Sequence, residues 1–194
     1  MPKTLMKPFR PIYPSPAALI TSVAPNGKAN IITLGEVYNL SVASPVVVGI
    51  SIAKQRYSHG LISQSGEFVV NLPTAAMAEQ VDRCGCLSGR DVDKFRVVGL
   101  TALESLHVRP PLIGECPVNL ECKLMGVRQV GDHDMFRGEV VAQHVEESLL
   151  DEQGRIDVGR LDVLCFVKGQ YWSLGRKLGE YGFSGHAERN ADDQ

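Results

Sequence analysis

Two long strand-like runs near the middle of the sequence restrict the fold more than any other feature. The segments are CPVNLECKLMGVRQV, at residues 116–130, and DMFRGEVVAQHVEES, at residues 134–148. Only the three residues GDH separate them. Two runs of this composition, joined by a few residues that include glycine, predict a β-hairpin. The middle of the chain is therefore predicted to form one long antiparallel hairpin.

Shorter strand-like segments lie on both sides of this hairpin. Residues 17–23 and 29–34 are apolar runs that flank PNGK, in which Asn26 and Gly27 tolerate the positive φ of a hairpin turn. Further runs predict strands at residues 45–53 (PVVVGISIA), 67–73 (EFVVNLP) and 163–167 (VLCFV). The first of these is rich in β-branched residues, which suits a central barrel strand.

The predicted helices are few and short. Residues 58–65 fit a helix with Ser58 as N-cap and Gly66 just past its end, and residues 74–84 fit another with Thr74 as N-cap. One more helical turn is predicted within residues 91–98.

Many strands, few helices and no regular βαβ alternation predict a mainly β fold, a barrel with peripheral helices. We expect one domain over residues 1–194, with an extended proline-rich arm at residues 1–13 and a flexible tail at residues 186–194.

Composition excludes several function classes. The formal net charge is −2 and the pI is about 6.2, so no global basic field exists to hold nucleic acid or an anionic membrane. The N-terminus lacks the apolar region of a signal peptide, and no run reaches the roughly 18 apolar residues of a transmembrane span. Five cysteines without the density of a disulfide framework indicate reduced thiols. We therefore expect a cytoplasmic protein that contacts neither nucleic acid nor membrane.

One cysteine pair resembles a redox or metal motif only superficially. Cys84 and Cys86 have CxC spacing, whereas dithiol motifs use CxxC, and no histidine lies near them with zinc-like spacing. We predict buried or incidental thiols at these positions and no metal site.

The segment AKQRYSH, at residues 53–59, places two cations and a hydroxyl where a predicted strand leads into a predicted helix. A helix N-terminus offers free backbone N–H groups and the positive end of a dipole. Together with Lys54, Arg56 and Ser58, such a terminus suits a phosphate group. Surface turns often carry such residues, so on the residues alone a solvated turn is the favoured interpretation and the anion site is the alternative that stays open.

The segment NIITLGE also has two interpretations. Its amide at Asn30, its hydroxyl at Thr33 and the adjacent backbone groups of Leu34 and Gly35 could bind the polar edge of a planar heterocycle. Without further context the favoured interpretation is structural, with Asn30 as an edge-strand residue and Thr33 present for its β propensity.

A histidine near the predicted turn of the long hairpin is the remaining candidate. His133 fits an ordinary surface turn, or a position that projects over a barrel mouth towards a substrate. The sequence contains no GxGxxG, GxxxxGK[ST] or GxSxG motif, so dinucleotide-binding Rossmann, P-loop and hydrolase functions lose their main support.

An ordered set of segments resembles the flavin reductase-like family, whose fold is the FMN-binding split barrel, and within it the flavoredoxin-like proteins. The segments span residues 14–182: PSPAALITSVAPNGKANIITLGEV, PVVVGISIAKQRYSHGLISQSGEFVVNLP, VDKFRVVGL, CPVNLECKLMGVRQVGDHDMFRGEVV and YWSLGRKLGEYG. The resemblance implies a homodimer that binds FMN near the subunit interface. It implies transfer of reducing equivalents from NAD(P)H through FMN to a flavin or protein acceptor.

Two alternatives to this activity are kept. The first is a flavoredoxin-like electron carrier that holds FMN but has no NAD(P)H activity of its own. The second is a barrel that has lost the flavin and serves as a binding module.

The resemblance also implies roles for individual residues. The implied cofactor-binding positions are Asn30, Thr33, Leu34, Gly35, Lys54, Arg56, Ser58 and Lys94. Asn30 and Thr33 match positions that contact the flavin or its ribityl chain, and Arg56 and Ser58 match the loop that holds the phosphate. His133 matches a position near flavin and nicotinamide, the implied catalytic site.

The chain departs from the family pattern at one position. Many flavoredoxin-like proteins have an aromatic residue where Glu36 stands here. A carboxylate at that point is expected to alter the packing around the flavin, its redox potential or the choice of substrate.

Overall fold

The computed structural model describes residues 1–184, and the tail predicted at residues 186–194 lies outside the described residues. The strands are β1 (Ser15–Pro16), β2 (Ala18–Val23), β3 (Ala29–Leu34), β4 (Val37–Ser41), β5 (Val47–Ala53), β6 (Glu67–Leu72), β7 (Ala102–Leu103), β8 (Leu112–Ile113), β9 (Val118–Val130), β10 (His133–Val145), β11 (Leu164–Val167) and β12 (Gln170–Ser173). The α-helices are α1 (Tyr57–Ser65), α2 (Ala78–Cys86) and α3 (Lys94–Val98). Short 3₁₀ turns occupy Ala75–Met77 and Glu147–Leu149.

Seven antiparallel strands form the main sheet, in the order β3-β2-β6-β9-β10-β5-β4. The predicted long hairpin is its centre, since β9 and β10 have 13 residues each. His133 was predicted to belong to the connecting turn, but it pairs with Val130 and begins β10. The turn is shorter than predicted because the strand ladder extends one residue further.

The sheet curves around its main apolar core. This core collects side chains from both edges of the sheet and from its centre, including Ile32 on β3, Ile50 on β5, Phe68 on β6 and Phe136 on β10. Complete burial of one such side chain contributes roughly 1.5–3 kcal/mol. Within residues 1–184 no strand ladder joins β3 to β4, so the barrel stays split. The prediction of a mainly β split barrel with peripheral helices is confirmed.

A second apolar cluster holds α2 and α3 on the outer face of β2 and β3. Leu19 and Ile31 on these strands pack with Val81 of α2 and Phe95 of α3, and Leu164 of β11 completes the contact. Because α2 and α3 are fixed against β3, the loop that joins them is held close to the end of that strand.

The first helix differs from its prediction at its start. Its N-cap is Arg56, in an extended conformation and without a side-chain capping bond, so Ser58 is not the N-cap. The Ser58 hydroxyl instead accepts a hydrogen bond from Asn30 Nδ2 at 2.7 Å. Gly66 ends the helix in the left-handed conformation, with φ of 70°, as predicted.

The other two predicted helices are present, but their boundaries differ from the prediction. Thr74 precedes the 3₁₀ turn Ala75–Met77, and α2 begins after it, at Ala78. The predicted helical turn within residues 91–98 is α3, whose N-cap Asp93 accepts a bond from Arg96 N–H. Among the described residues, no helix has the length and apolar character needed to cross a membrane.

A fully buried carboxylate fixes the loop before β8. Glu121 on β9 is 0% exposed, and its oxygens accept bonds from the backbone N–H groups of Leu106 (2.8 Å), His107 (2.6 Å) and Val108 (3.1 Å). His144 Nε2 lies 2.7 Å from the same carboxylate. Burial alone raises the pKa of Glu121, but the hydrogen bonds from Leu106, His144 and His107 outweigh it, and the pKa falls below its ordinary value of 4.5.

Replacement of this carboxylate tests its structural role. We expect Glu121→Gln to lower the free energy of unfolding by about 1–3 kcal/mol at neutral pH, because a charge-assisted acceptor of several buried N–H groups is lost. A depressed folded-state pKa contributes stability above the ordinary value of 4.5, and this contribution is lost as pH falls through the folded-state value. The difference between wild type and variant should therefore shrink in acid.

Denaturant unfolding at a series of pH values measures this difference. Glu139→Gln, on the exposed side of β10, is the matched control and should change stability little. A difference for Glu121→Gln that equals the control, or that does not depend on pH, contradicts this interpretation.

Candidate functional site

A cleft of about 420 Å³ opens beside the end of β3. Its walls are β3, the N-terminus of α1, the loop between α2 and α3, and the start of β10. It brings together seven residues that the sequence had singled out from four separate segments: Asn30, Thr33, Leu34, Arg56, Ser58, Lys94 and His133. Their convergence makes this cleft the candidate functional site.

Two of the predicted cofactor-binding residues do not line this cleft. Lys54 is half exposed, and its Nζ lies 3.7 Å from Asp134 Oδ1 at the start of β10. Gly35 lines a smaller adjoining cavity of about 260 Å³, which shares Thr33 and Leu34 with the cleft. A role for Lys54 or Gly35 in cofactor binding stays a prediction.

The amide of Asn30 is the most constrained polar group of the site. Its side chain is 3% exposed, and Nδ2 donates to Ser58 Oγ at 2.7 Å. Its Oδ1 is buried without a hydrogen-bond partner among residues 1–184. A Cβ at Gly89 would overlap this oxygen, so only glycine lets the loop approach so closely. Asn30 thus carries one buried acceptor without a partner at the wall of the cleft, packed against the backbone of Gly89.

A buried lysine joins the two walls of the cleft. Lys94, at the start of α3, is 5% exposed, and its Nζ donates to the carbonyls of Ile31 (2.8 Å) on β3 and Cys84 (2.6 Å) on α2. Burial lowers the pKa of Lys94, and the nearby cation Arg56 lowers it further. The side chain lines the cleft while it holds the sheet and the helix together.

Cations dominate the end of the cleft next to α1. Arg56 makes no hydrogen bond or ion pair through its side chain within the described part of the chain. Arg90, which the sequence analysis missed, extends from the loop between α2 and α3: its Nη1 lies 3.4 Å from the Gln55 carbonyl and its Cζ lies 5.2 Å above the Tyr57 ring. The only signal for Arg90 was its place in a loop close to the DKF segment.

The two carboxylates among the described lining residues of the cleft have nearby partners. Glu36 forms an ion pair with Arg10 of the N-terminal arm, and the Arg10 guanidinium lies 5.8 Å from the centre of the Phe166 ring. His133 Nδ1 lies 2.9 Å from Asp132 Oδ1, and this hydrogen bond lowers the pKa of Asp132. Glu36 therefore has an adjacent cation, and Asp132 has an adjacent hydrogen-bond donor.

The Thr33 hydroxyl is less available to a ligand than its sequence position suggested. Its Oγ1 donates to the Val81 carbonyl of α2 at 2.6 Å, so the hydroxyl hydrogen is committed within the protein. Only the oxygen lone pairs are left to accept a bond from a ligand.

The two neighbouring cysteines differ in environment. Cys84 is buried, and burial raises its pKa to about 11, whereas Cys86 is exposed and lines the cleft. No disulfide joins the five cysteines. In the part of the chain that the structure describes, no group of three or more histidine, cysteine, aspartate or glutamate side chains could hold a metal ion.

Comparison with known sequences agrees with this architecture. The sequence model of the family described as "Flavin reductase like domain" matches residues 10–175, which is most of the chain. The chain belongs to the flavin reductase-like family. The resemblance predicted from the ordered segments is thereby confirmed.

Individual relatives of this flavin reductase-like chain extend the match. An uncharacterized protein of Archaeoglobus fulgidus is 38% identical over 147 residues, covering 76% of this chain and 80% of the relative. Flavoredoxin of Desulfovibrio vulgaris (Miyazaki F) has a TM-score of 0.88 and 28% identity, covering 94% of this chain and 99% of that chain. An FMN-binding protein from Thermus thermophilus, with bound 1-cyclohex-2-enone, has a TM-score of 0.78 and 27% identity, covering 93% and 97%.

The close approach of Gly89 to Asn30 in this flavin reductase-like site gives a direct test. We expect Gly89→Ala to lower stability by about 1–3 kcal/mol, since the added methyl group must displace Asn30 or the loop. Gly60→Ala is the matched control, because Gly60 lies within α1 with open space around it. That control should raise stability by about 0.5–1 kcal/mol through helix propensity.

Thermal and denaturant unfolding of both variants measure these effects. Two variants that change stability in the same direction and by the same amount would show that the contact between Gly89 and Asn30 is not tight.

Proposed function

We propose that the chain is an FMN-binding oxidoreductase that transfers reducing equivalents from NAD(P)H through FMN to an acceptor. The observation that carries this proposal is the cationic wall of the cleft at the N-terminus of α1, where the Arg56 side chain has no ion-pair partner among residues 1–184. A ligand that carries a phosphate matches that cationic wall. The similarity to an FMN-binding protein over most of the chain supports the same ligand.

The charges of the cleft support a bound anion. The carboxylates among its described lining residues are Glu36 and Asp132, which lie against Arg10 and His133. Neither of these two carboxylates forms an ion pair with Arg56. Because the N-terminus of α1 adds free N–H groups and a positive dipole end, an anion placed there gains charge-assisted hydrogen bonds.

The unpartnered Asn30 oxygen also fits a flavin nucleotide. A buried amide oxygen without a partner costs roughly 1–3 kcal/mol, and a donor on the ligand would remove that cost. Ribityl hydroxyls and the ring N–H of a flavin are such donors. We assign Arg56, Ser58 and the α1 N-terminus to the phosphate, and Asn30 to a donor of the ligand.

Other residues of the chain position and tune the site. When bound, FMN supplies the hydride and electron chemistry, so no protein nucleophile is required. Asp132 accepts from His133 Nδ1, which fixes the tautomer and orientation of the imidazole at the cleft wall. Lys94 places a positive charge beside β3 while it keeps both walls in register. His133 is proposed to face the reductant.

We also propose that the protein acts as a homodimer with the flavin near the interface. Apolar side chains on β4 and β9 support a partner surface, since Tyr38, Leu40, Met125 and Val127 are exposed. The acceptor is a free flavin or a protein.

A second function is favoured by a separate observation. Flavoredoxin of Desulfovibrio vulgaris is similar to this chain along nearly the whole length of both. The alternative is therefore an FMN-holding electron carrier that does not react with a nicotinamide.

One spectroscopic experiment tests both functions. The purified protein with FMN should show the absorbance of a bound flavin, and anaerobic NADH or NADPH should bleach it. Bleaching only by a reduced protein donor favours the electron carrier. A protein that does not retain FMN and leaves the fluorescence of added FMN unchanged contradicts both.

Mutation of the proposed phosphate site gives a quantitative check. We expect Arg56→Ala with Ser58→Ala to weaken FMN binding by several kcal/mol, because each charge-assisted hydrogen bond contributes roughly 1.5–3 kcal/mol. Quenching of FMN fluorescence on titration measures the affinity. Arg128→Ala, on the exposed end of β9, is the control for lost charge. Unaltered FMN affinity in the double variant would place the phosphate elsewhere.

A further inference from the structure

The loop between α2 and α3, at residues 87–93, forms the cleft wall that faces the N-terminus of α1. Ser88, Gly89 and Arg90 of this loop line the cleft. The Arg90 side chain crosses to the opposite wall, where its guanidinium lies against the Gln55 carbonyl and above the Tyr57 ring. Both of these residues flank Arg56, so the two arginines belong to the same end of the cleft.

Most donors of these two arginines are uncommitted. A guanidinium carries five N–H donors, and within residues 1–184 only Nη1 of Arg90 is engaged, in a long contact of 3.4 Å. The Arg56 side chain has no hydrogen-bond partner in that range. The carboxylates that line the cleft are held by Arg10 and His133. Two like charges without a counter-charge repel one another, so an anion bound beside both arginines would be stabilised.

A second observation independently indicates a ligand here. Asn30 is 3% exposed and lines the cleft, and its Oδ1 has no partner among the described residues. The backbone of Gly89 lies so close to this oxygen that any side chain would overlap it. The loop carrying Arg90 thus packs directly on Asn30 Oδ1, a buried acceptor without a partner among the described residues.

We propose that Arg90 is the second phosphate-binding arginine of the site and that, with Arg56, it selects a terminal phosphate monoester. This inference rests on the proposed FMN function and deepens it. A phosphate monoester carries about −1.5 to −2 charges at pH 7, which matches two arginines. Riboflavin has no phosphate, and each phosphate of FAD is a diester-like group with a single charge. The pair of arginines therefore sets the preference for FMN over riboflavin and FAD.

Flavin binding by the full-length protein tests this assignment. Dissociation constants for FMN, riboflavin and FAD are measured by fluorescence titration for wild type, Arg90→Gln and Arg96→Gln. Arg96 is an exposed arginine of α3 outside the cleft, so its variant controls for the lost charge. We expect Arg90→Gln to weaken FMN binding by roughly tenfold or more, because a charge-assisted fork is lost. Riboflavin binding should change less than about twofold, since riboflavin lacks the group that Arg90 binds.

Two further measurements keep the result interpretable. Thermal unfolding shows whether Arg90→Gln is folded, and Arg90→Lys, which keeps the charge but loses the fork, should bind FMN with intermediate affinity. The second pKa of a phosphate monoester is about 6, so FMN affinity of the wild type should fall between pH 7.5 and pH 5. That fall should be smaller in Arg90→Gln, and this comparison needs no riboflavin.

The outcomes separate this proposal from the proposed function. Wild-type protein that binds FMN and riboflavin equally, or an Arg90→Gln variant that loses affinity for both to the same extent, overturns the role of Arg90 while flavin binding stands. Unchanged FMN affinity in Arg90→Gln overturns it as well. Wild-type protein that binds neither flavin overturns the proposed function and this inference together.

Discussion

The buried ammonium group of Lys94 is the contact on which the candidate site depends. It donates to a carbonyl of β3 and to a carbonyl of α2, and thereby fixes the helical layer against the sheet where the cleft opens. A buried charge that only carbonyls solvate is expensive, as the lowered pKa of Lys94 reflects. The loop between α2 and α3 ends at Lys94, whose two bonds hold α2 and the start of α3 against β3. This side chain therefore fixes the distance between the two walls of the cleft.

The same geometry explains how a weakly acidic chain builds a cationic site. The net charge is −2, yet Arg56, Arg90 and Lys94 line one cleft whose carboxylates are bound elsewhere. This concentration of positive charge destabilises the empty protein through repulsion and desolvation. An anionic ligand removes that cost, and a ligand that binds only the folded state stabilises it by mass action. Local charge, rather than total charge, therefore determines which ligand the cleft accepts.

The sequence predicted those features of the fold that depend on the composition of short segments. The central hairpin and the strands of the core follow from their apolar, β-branched composition, and the family followed from the order of the segments. β4 and β12 escaped prediction because their residues are largely exposed and lack a buried face. Ser58 was misassigned as N-cap since its hydroxyl is paired with Asn30, 28 residues away. Arg90 escaped for the same reason: its place beside Gln55 and Tyr57 arises only from the packing of α2 and α3.

The effect of Glu36 on the charge of the cleft depends on its contacts in the folded chain. From the sequence, a carboxylate in place of an aromatic residue suggested a negative charge near the cofactor. Arg10 from the N-terminal arm neutralises it, and Arg10 itself lies over Phe166. Glu36 therefore adds no unpaired negative charge to the cleft, while the Arg56 side chain at the N-terminus of α1 has no ion-pair partner among residues 1–184. A ligand with one phosphate gains charge-assisted bonds beside Arg56 and at the free N–H groups of α1, so the charge pattern orients it with its phosphate towards Arg56.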